Sequence, residues 1–233
     1  MKRFYKEAAA GPIEGGHGVT LDGRPVRTPG RKVLVLPTAA LADASAAEWN
    51  GQGDKLDMGA MPMTALAYAA VDRIAADPAH FVEETSRYAE TDLLCYRAPG
   101  PDRLRERQAA AWDPLLDWLK DSHGAKLETV DGVMPTPQPD EALRAVRAAF
   151  AALDPFRLTA AHSATRVAGS AAVALALVAG RIDAAAAADV AEIDELFQME
   201  EWGEDPEARA LLTRRRVDMV EIGRFLDFLN AKA

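Results

Sequence analysis

Four histidines, a single cysteine and one dense run of carboxylates carry most of the chemical capacity of this sequence. His17, His80, His123 and His162 are scattered, with no pair at the short spacing that lets two imidazoles share a metal ion. Each reads as a surface or helix-flank residue. Cys95 stands in Leu93-Leu94-Cys95-Tyr96, where apolar neighbours suit a buried, inert thiol better than a nucleophile. A lone cysteine excludes an intramolecular disulfide and mildly favours a reducing compartment. Gly15-Gly16-His17-Gly18 is glycine-rich but precedes a strand and lacks the lysine and hydroxyl of a phosphate loop, so it reads as a plain loop. Gly169-Ser170 stands inside an apolar helical run, where small residues allow close packing, and makes no nucleophile elbow.

The carboxylates are concentrated between Glu192 and Glu207. Glu192, Asp194, Glu195, Glu200, Glu201, Glu204, Asp205 and Glu207 fall in that stretch, and no lysine or arginine does. Read as one helix, the apolar face of Val190, Ile193 and Phe197 continues onto Glu200, Glu201 and Glu204, so acids land where core residues are expected. Three readings are open. The run is a solvated acidic helix end, a surface facing a cationic partner, or a carboxylate pair for acid-base work such as glycoside cleavage. Trp202 places a rigid aromatic surface beside the charge, a mixture common among interface anchors. No histidine and no series of aromatic sugar platforms stands nearby in the sequence to assist catalysis.

The elements that must position these residues shift in type near residue 37. Before it, Val19-Thr20-Leu21, Asp22-Gly23 and Arg24-Pro25-Val26-Arg27 form a hairpin signal, because Asp-Gly tolerates the positive φ angles of a tight turn. Lys32 to Leu36 predicts another strand, and Arg3 to Lys6 a further edge strand. So small a sheet needs helices to cover it. Thr38 is an N-cap for a helix ending at Gly51, with Trp49 as its core anchor in preference to a surface contact; a second helix starts after Pro62 and a third at Asp77-Pro78. Asp92 and Arg97 read as an internal ion pair or a cap. Asp102 to Asp121 is helical, with Pro114 as a kink or boundary. Leu127 to Val130 adds one strand before the proline-rich connector at 132–139. Four helices follow, at Asp140 to Leu153, Thr159 to Val178, Ala184 to Trp202 and Glu207 to Leu229. The expected fold class is α+β: a small antiparallel β-rich amino-terminal domain with covering helices at 1–99, then an all-α helical bundle domain at 100–233.

Bulk composition narrows the function. The 233 residues are 49% hydrophobic and 27% charged, a globular balance, and the formal net charge is −9. That charge disfavours general binding to nucleic acid or anionic membranes. The longest apolar run, Ala171 to Ala179, is far short of the roughly 20 residues that span a bilayer. The amino-terminal Met1-Lys2-Arg3-Phe4-Tyr5-Lys6 lacks the apolar core of a signal peptide.

Taken in order along the chain, a set of motifs resembles the ATP synthase assembly chaperone family dedicated to the α subunit of the catalytic head. They are Arg3-Phe4-Tyr5-Lys6, the run from Val19 to Pro29, Glu48-Trp49 with Gln52, and Met61-Pro62-Met63-Thr64. Thr91-Asp92-Leu93-Leu94-Cys95-Tyr96-Arg97 is the most specific, followed by Gln108 with Trp112-Asp113-Pro114-Leu115. Gly169-Ser170 and the block Asp194-Glu195, Gln198 and Trp202-Gly203-Glu204-Asp205 complete the set. The resemblance implies an α+β domain joined to a helical one. It implies a chaperone without catalytic residues, cofactor or metal, whose partner is the free α subunit, not a small molecule. On that basis Glu201, Trp202 and Glu204 are expected at the partner surface, with Asp194, Glu195 and Gln198 orienting their helix. A bacterial cytoplasmic member is the simpler expectation, or the mitochondrial matrix for a processed eukaryotic form. An enzyme using the 194–205 carboxylates and a permanent subunit of a complex are the rival functions.

Overall fold

The computed structural model describes residues 2–231. By contacts the chain falls into two compact units, the first comprising the residues up to Pro78 with Asp154–Ala160 and the stretch from Arg224, the second Ala79–Leu153 and Ala161–Gly223. Residues 79–99 thus lie in the second unit.

The first unit is built on an antiparallel sheet of β1 (Ala8–Ile13), β2 (Gly16–Leu21) and β3 (Arg24–Pro25). Ala8 faces Leu21 across the first pair, and Leu21 faces Arg24 across the second. The turn between β2 and β3 has φ of +48° at Asp22 and +80° at Gly23, the left-handed geometry that the Asp-Gly pair predicts. Lys32 to Leu36 gives isolated bridges instead of the expected continuous strand, His17 with Leu36 and Arg27 with Val33. At Gly16 a Cβ would stand 2.6 Å from the Leu36 carbonyl oxygen, so only glycine permits that backbone approach. Arg3 to Lys6 is likewise no strand. The Arg3 guanidinium anchors it instead, donating to the carbonyls of Gln52 at 2.6 Å and Lys6 at 2.8 Å.

Helix α1 (Ala39–Asn50) covers β1 and β2, capped by the Thr38 hydroxyl as expected, and buries Leu41, Ala42, Ser45, Ala46 and Trp49. Glu48 then caps α2 (Pro62–Ala69): its two carboxylate oxygens accept the N–H groups of Met63 at 2.7 Å and Thr64 at 2.8 Å. The Tyr5 hydroxyl donates to the Trp49 carbonyl at 2.5 Å. Motifs far apart in sequence therefore lock one another. The chain returns to this unit through Phe156 and Phe225, whose rings stack with centroids 6.4 Å apart.

The second unit is helical around α7 (Ala171–Val178), which is apolar on all sides and buried from Ala171 to Leu177. The other helices are α3 (Pro78–Ser86), α4 (Asp102–His123), α5 (Asp140–Ala151), α6 (Pro155–Ala168), α8 (Ala184–Ala191), α9 (Ile193–Trp202) and α10 (Pro206–Asn230). Residues of α6 and α10 are divided between the two units. A short parallel pair, β4 (Tyr96–Arg97) with β5 (Val130–Asp131), completes it.

Four expectations change here. Helix α4 passes through Pro114 unbroken, held by Trp112 and Leu115, which are buried on either side. The single helix expected over Thr159 to Val178 is two, because Gly169 turns left-handed at φ +67° and Ser170 starts a new helix by accepting the Val173 N–H. Ala184 to Trp202 also divides, at Glu192. His162 is buried, with Nδ1 3.1 Å from the Thr85 hydroxyl, so it is no surface histidine.

Candidate partner-binding surface

Helix α9 begins at the break around Glu192 and ends at Gly203, where φ is +90°. Helix α9 is therefore separate from α8, and its acids past Phe197 lie on the surface. Only Phe197 of α9 is buried; Glu200, Glu201, Trp202 and Glu204 are exposed. Trp202, at the last turn, is 81% exposed, although an indole is among the largest apolar groups a chain can hide.

The carboxylates are not bare. Sequence shows no basic residue among them, yet the fold brings arginines from α4 and α10. Arg103 pairs with Glu201, and Arg107 with Glu200 at 2.7 Å. Both guanidinium groups also lie over the Phe197 ring, at 5.0 and 5.4 Å. Arg209 pairs with Glu204, whose carboxyl it holds below the usual carboxylate range. Arg215 reaches Glu195 at 3.2 Å. Arg216 reaches both Asp189 and Glu192 at 2.7 Å, and Glu192 is itself buried. The acids of this stretch are thus paired with arginines, while Trp202 stays exposed.

Asp194 and Gln198 differ from each other. The Gln108 amide donates to Asp194 at 2.7 Å, while its carbonyl oxygen accepts the Ala98 N–H at 2.9 Å. Burial pushes the Asp194 carboxyl up despite that bond. Trp112 donates its indole N–H to the Val190 carbonyl at 2.9 Å, fixing the end of α8 on α4. Gln198 is exposed. Sequence reasoning missed Arg103 and Arg107; their i,i+4 spacing on one helix was the available signal.

The Thr-Asp-Leu-Leu-Cys-Tyr-Arg motif is structural. Asp92, wholly buried, accepts the Ser170 hydroxyl at 2.7 Å and the N–H groups of Leu94 and Ala172 at 3.1 Å each. It is a cap, and Arg97 pairs with Asp113 at 2.7 Å instead. Burial raises the Asp92 carboxyl above its ordinary range, more than Ser170 and the N–H groups lower it. Burial also pushes the Cys95 thiol up to about 12, which makes it a poor nucleophile.

Cavities of about 480 and 280 Å³ in the second unit are lined by residues such as Arg105, Asp113 and Thr129, with none from 194–205. Among the described residues, no group of three or more His, Cys, Asp or Glu side chains is placed to hold a metal ion, and no helix is long and apolar enough to cross a membrane.

The model of the ATP12 chaperone protein family matches residues 2–120. Solved structures carry the likeness further. Atp12 from Paracoccus denitrificans is 42% identical, with 98% of each chain covered and a TM-score of 0.93. A protein from Agrobacterium tumefaciens is 40% identical over 98% of this chain and 86% of its own, with a TM-score of 0.91. The mitochondrial protein atp12 of Schizosaccharomyces pombe is 24% identical over 220 residues, spanning 87% of this chain and 74% of the yeast protein. The acidic surface lies beyond the residues that the family model matches, so its likeness rests on the solved structures.

Proposed function

The chain belongs to the ATP12 chaperone protein family, and from that premise we propose that it binds the free α subunit of an F-type ATP synthase and supports assembly of the catalytic head. The observation that carries a partner surface is Trp202, a large indole that folding leaves 81% exposed beside the paired acids Glu200, Glu201 and Glu204 in the chain. The family resemblance supplies the client. A subunit awaiting assembly exposes apolar surface, and covering it prevents aggregation. Release requires contacts that are moderate and partly polar. Exposed ion pairs fit that need, because each arginine and carboxylate can exchange its partner for a client group at little cost.

The chain acts in this reading by binding alone, in the bacterial cytoplasm, with Glu201, Trp202 and Glu204 at the client and Asp194, Glu195 and Gln198 setting the helix. The 40–42% identity to bacterial proteins, against 24% to the yeast one, supports that location. Changing Glu201→Lys and Glu204→Lys together weakens capture of purified α subunit about tenfold, a typical cost of like-charge contacts at an interface. The melting temperature changes little, because both side chains are exposed and the surface ion pairs they lose contribute little to stability. A lower melting temperature with capture intact would make the two acids structural.

A further inference from the structure

The amino-terminal unit contains a cavity of about 600 Å³, within the size range of pockets that hold small ligands. Tyr5, Trp49 and Tyr68 give it aromatic walls, and Asp22, Arg24 and Arg27 supply its charge. Phe4, which also lines it, is 64% exposed and meets Tyr5 edge-on at 5.4 Å. We propose that this cavity docks one side chain of the protein client, an aromatic or long aliphatic residue followed by a carboxylate. The proposal rests on the chaperone reading and adds to it a second contact, of defined chemistry, remote in sequence from the acidic surface.

The charge pattern selects the occupant. The Asp22 carboxylate is already engaged by the backbone N–H groups of Lys6 and Glu7 at 3.0–3.1 Å, and these bonds hold it below the usual carboxylate range. Arg24 and Arg27 have no such partner: among the described residues neither makes an ion pair, and Arg27 donates only to the Arg31 carbonyl at 2.9 Å. Two unpaired guanidinium groups beside an aromatic cavity, on a chain of net charge −9, favour an acidic guest.

The walls are formed in advance. Tyr5 is fixed at its hydroxyl by the Trp49 carbonyl and at its face by the Arg3 guanidinium, 4.7 Å from the ring centre. Little ordering is left for binding to impose. The Tyr68 phenol is pushed up to about 12 by burial and by Asp72, so it stays protonated, and neither histidine nor cysteine lines the cavity.

The test is a titration of uniformly ¹⁵N-labelled full-length protein, with resonances assigned, by acetyl-Phe-Glu-amide and acetyl-Phe-Lys-amide. The Trp49 indole signal and the amides of Arg24 and Arg27 shift saturably with the first, and the second binds about tenfold more weakly. The double variant Arg24→Glu/Arg27→Glu reverses that preference and loses about tenfold in α-subunit capture. No shift at Trp49, or equal binding of the two dipeptides, overturns the pocket. Full capture by the double variant overturns its role in client binding. Failure of the unaltered chain to capture α subunit counts against the proposed client and leaves the dipeptide result standing.

Discussion

Replacing Asp92 by alanine lowers the melting temperature by about 6–12 °C, the equivalent of roughly 3 kcal/mol in a chain of this size. The carboxylate receives three donors in a dry interior, from Ser170, Leu94 and Ala172. Alanine strands both backbone N–H groups, one of them in the first turn of the wholly apolar α7, which has no other charged group to hold its start. Ser170→Ala costs less, because it removes one bond and one cap, and the double variant costs less than the sum since the two share a bond. Thermal melts of the three proteins decide this. The pH dependence follows from the raised carboxyl. The native state binds a proton that the unfolded chain has released, so this group's stabilisation is complete below the ordinary Asp range near 3.8 and falls as pH rises through the native value. The Asp92→Ala variant lacks that fall.

Trp202→Ala produces the opposite signature. An 81% exposed side chain contributes little to folding, so the melting temperature does not move. Affinity for the α subunit drops by about thirtyfold or more, the loss typical of a tryptophan anchor. Trp202→Phe recovers part of it by restoring apolar area. The pair of measurements separates a contact residue from a structural one.

Much of the framework is legible in the sequence. Asp22-Gly23 announces the β2–β3 turn because few dipeptides tolerate two positive φ angles. The Thr38 cap of α1 and its buried Leu41 and Trp49 follow from capping and residue type, while Ala42, Ser45 and Ala46, which complete the buried face, do not stand out in an alanine-rich run. Strand β1 is not legible, since Ala-Ala-Ala-Gly-Pro-Ile carries almost no β-branched residue and owes its conformation to pairing with β2. The break at Gly169 is hidden for a related reason: the glycine reads as a packing residue until its backbone is seen to be left-handed and its neighbour to bond Asp92.

The candidate surface was half legible. Acid density and Trp202 stand out in the sequence, but Arg103 is 98 residues from Glu201, and no local pattern joins them. The finding changes the physics of the surface from a bare negative patch to exposed ion pairs, with an exposed indole next to them in the chain.

The most direct test of the central claim is affinity capture of the tagged chain from cells in which the β subunit of the ATP synthase is limiting. Free α subunit is recovered with the tag and is released when β is restored. Recovery of no α subunit under limiting β, or of the same fixed complex whatever the supply of β, contradicts an assembly chaperone.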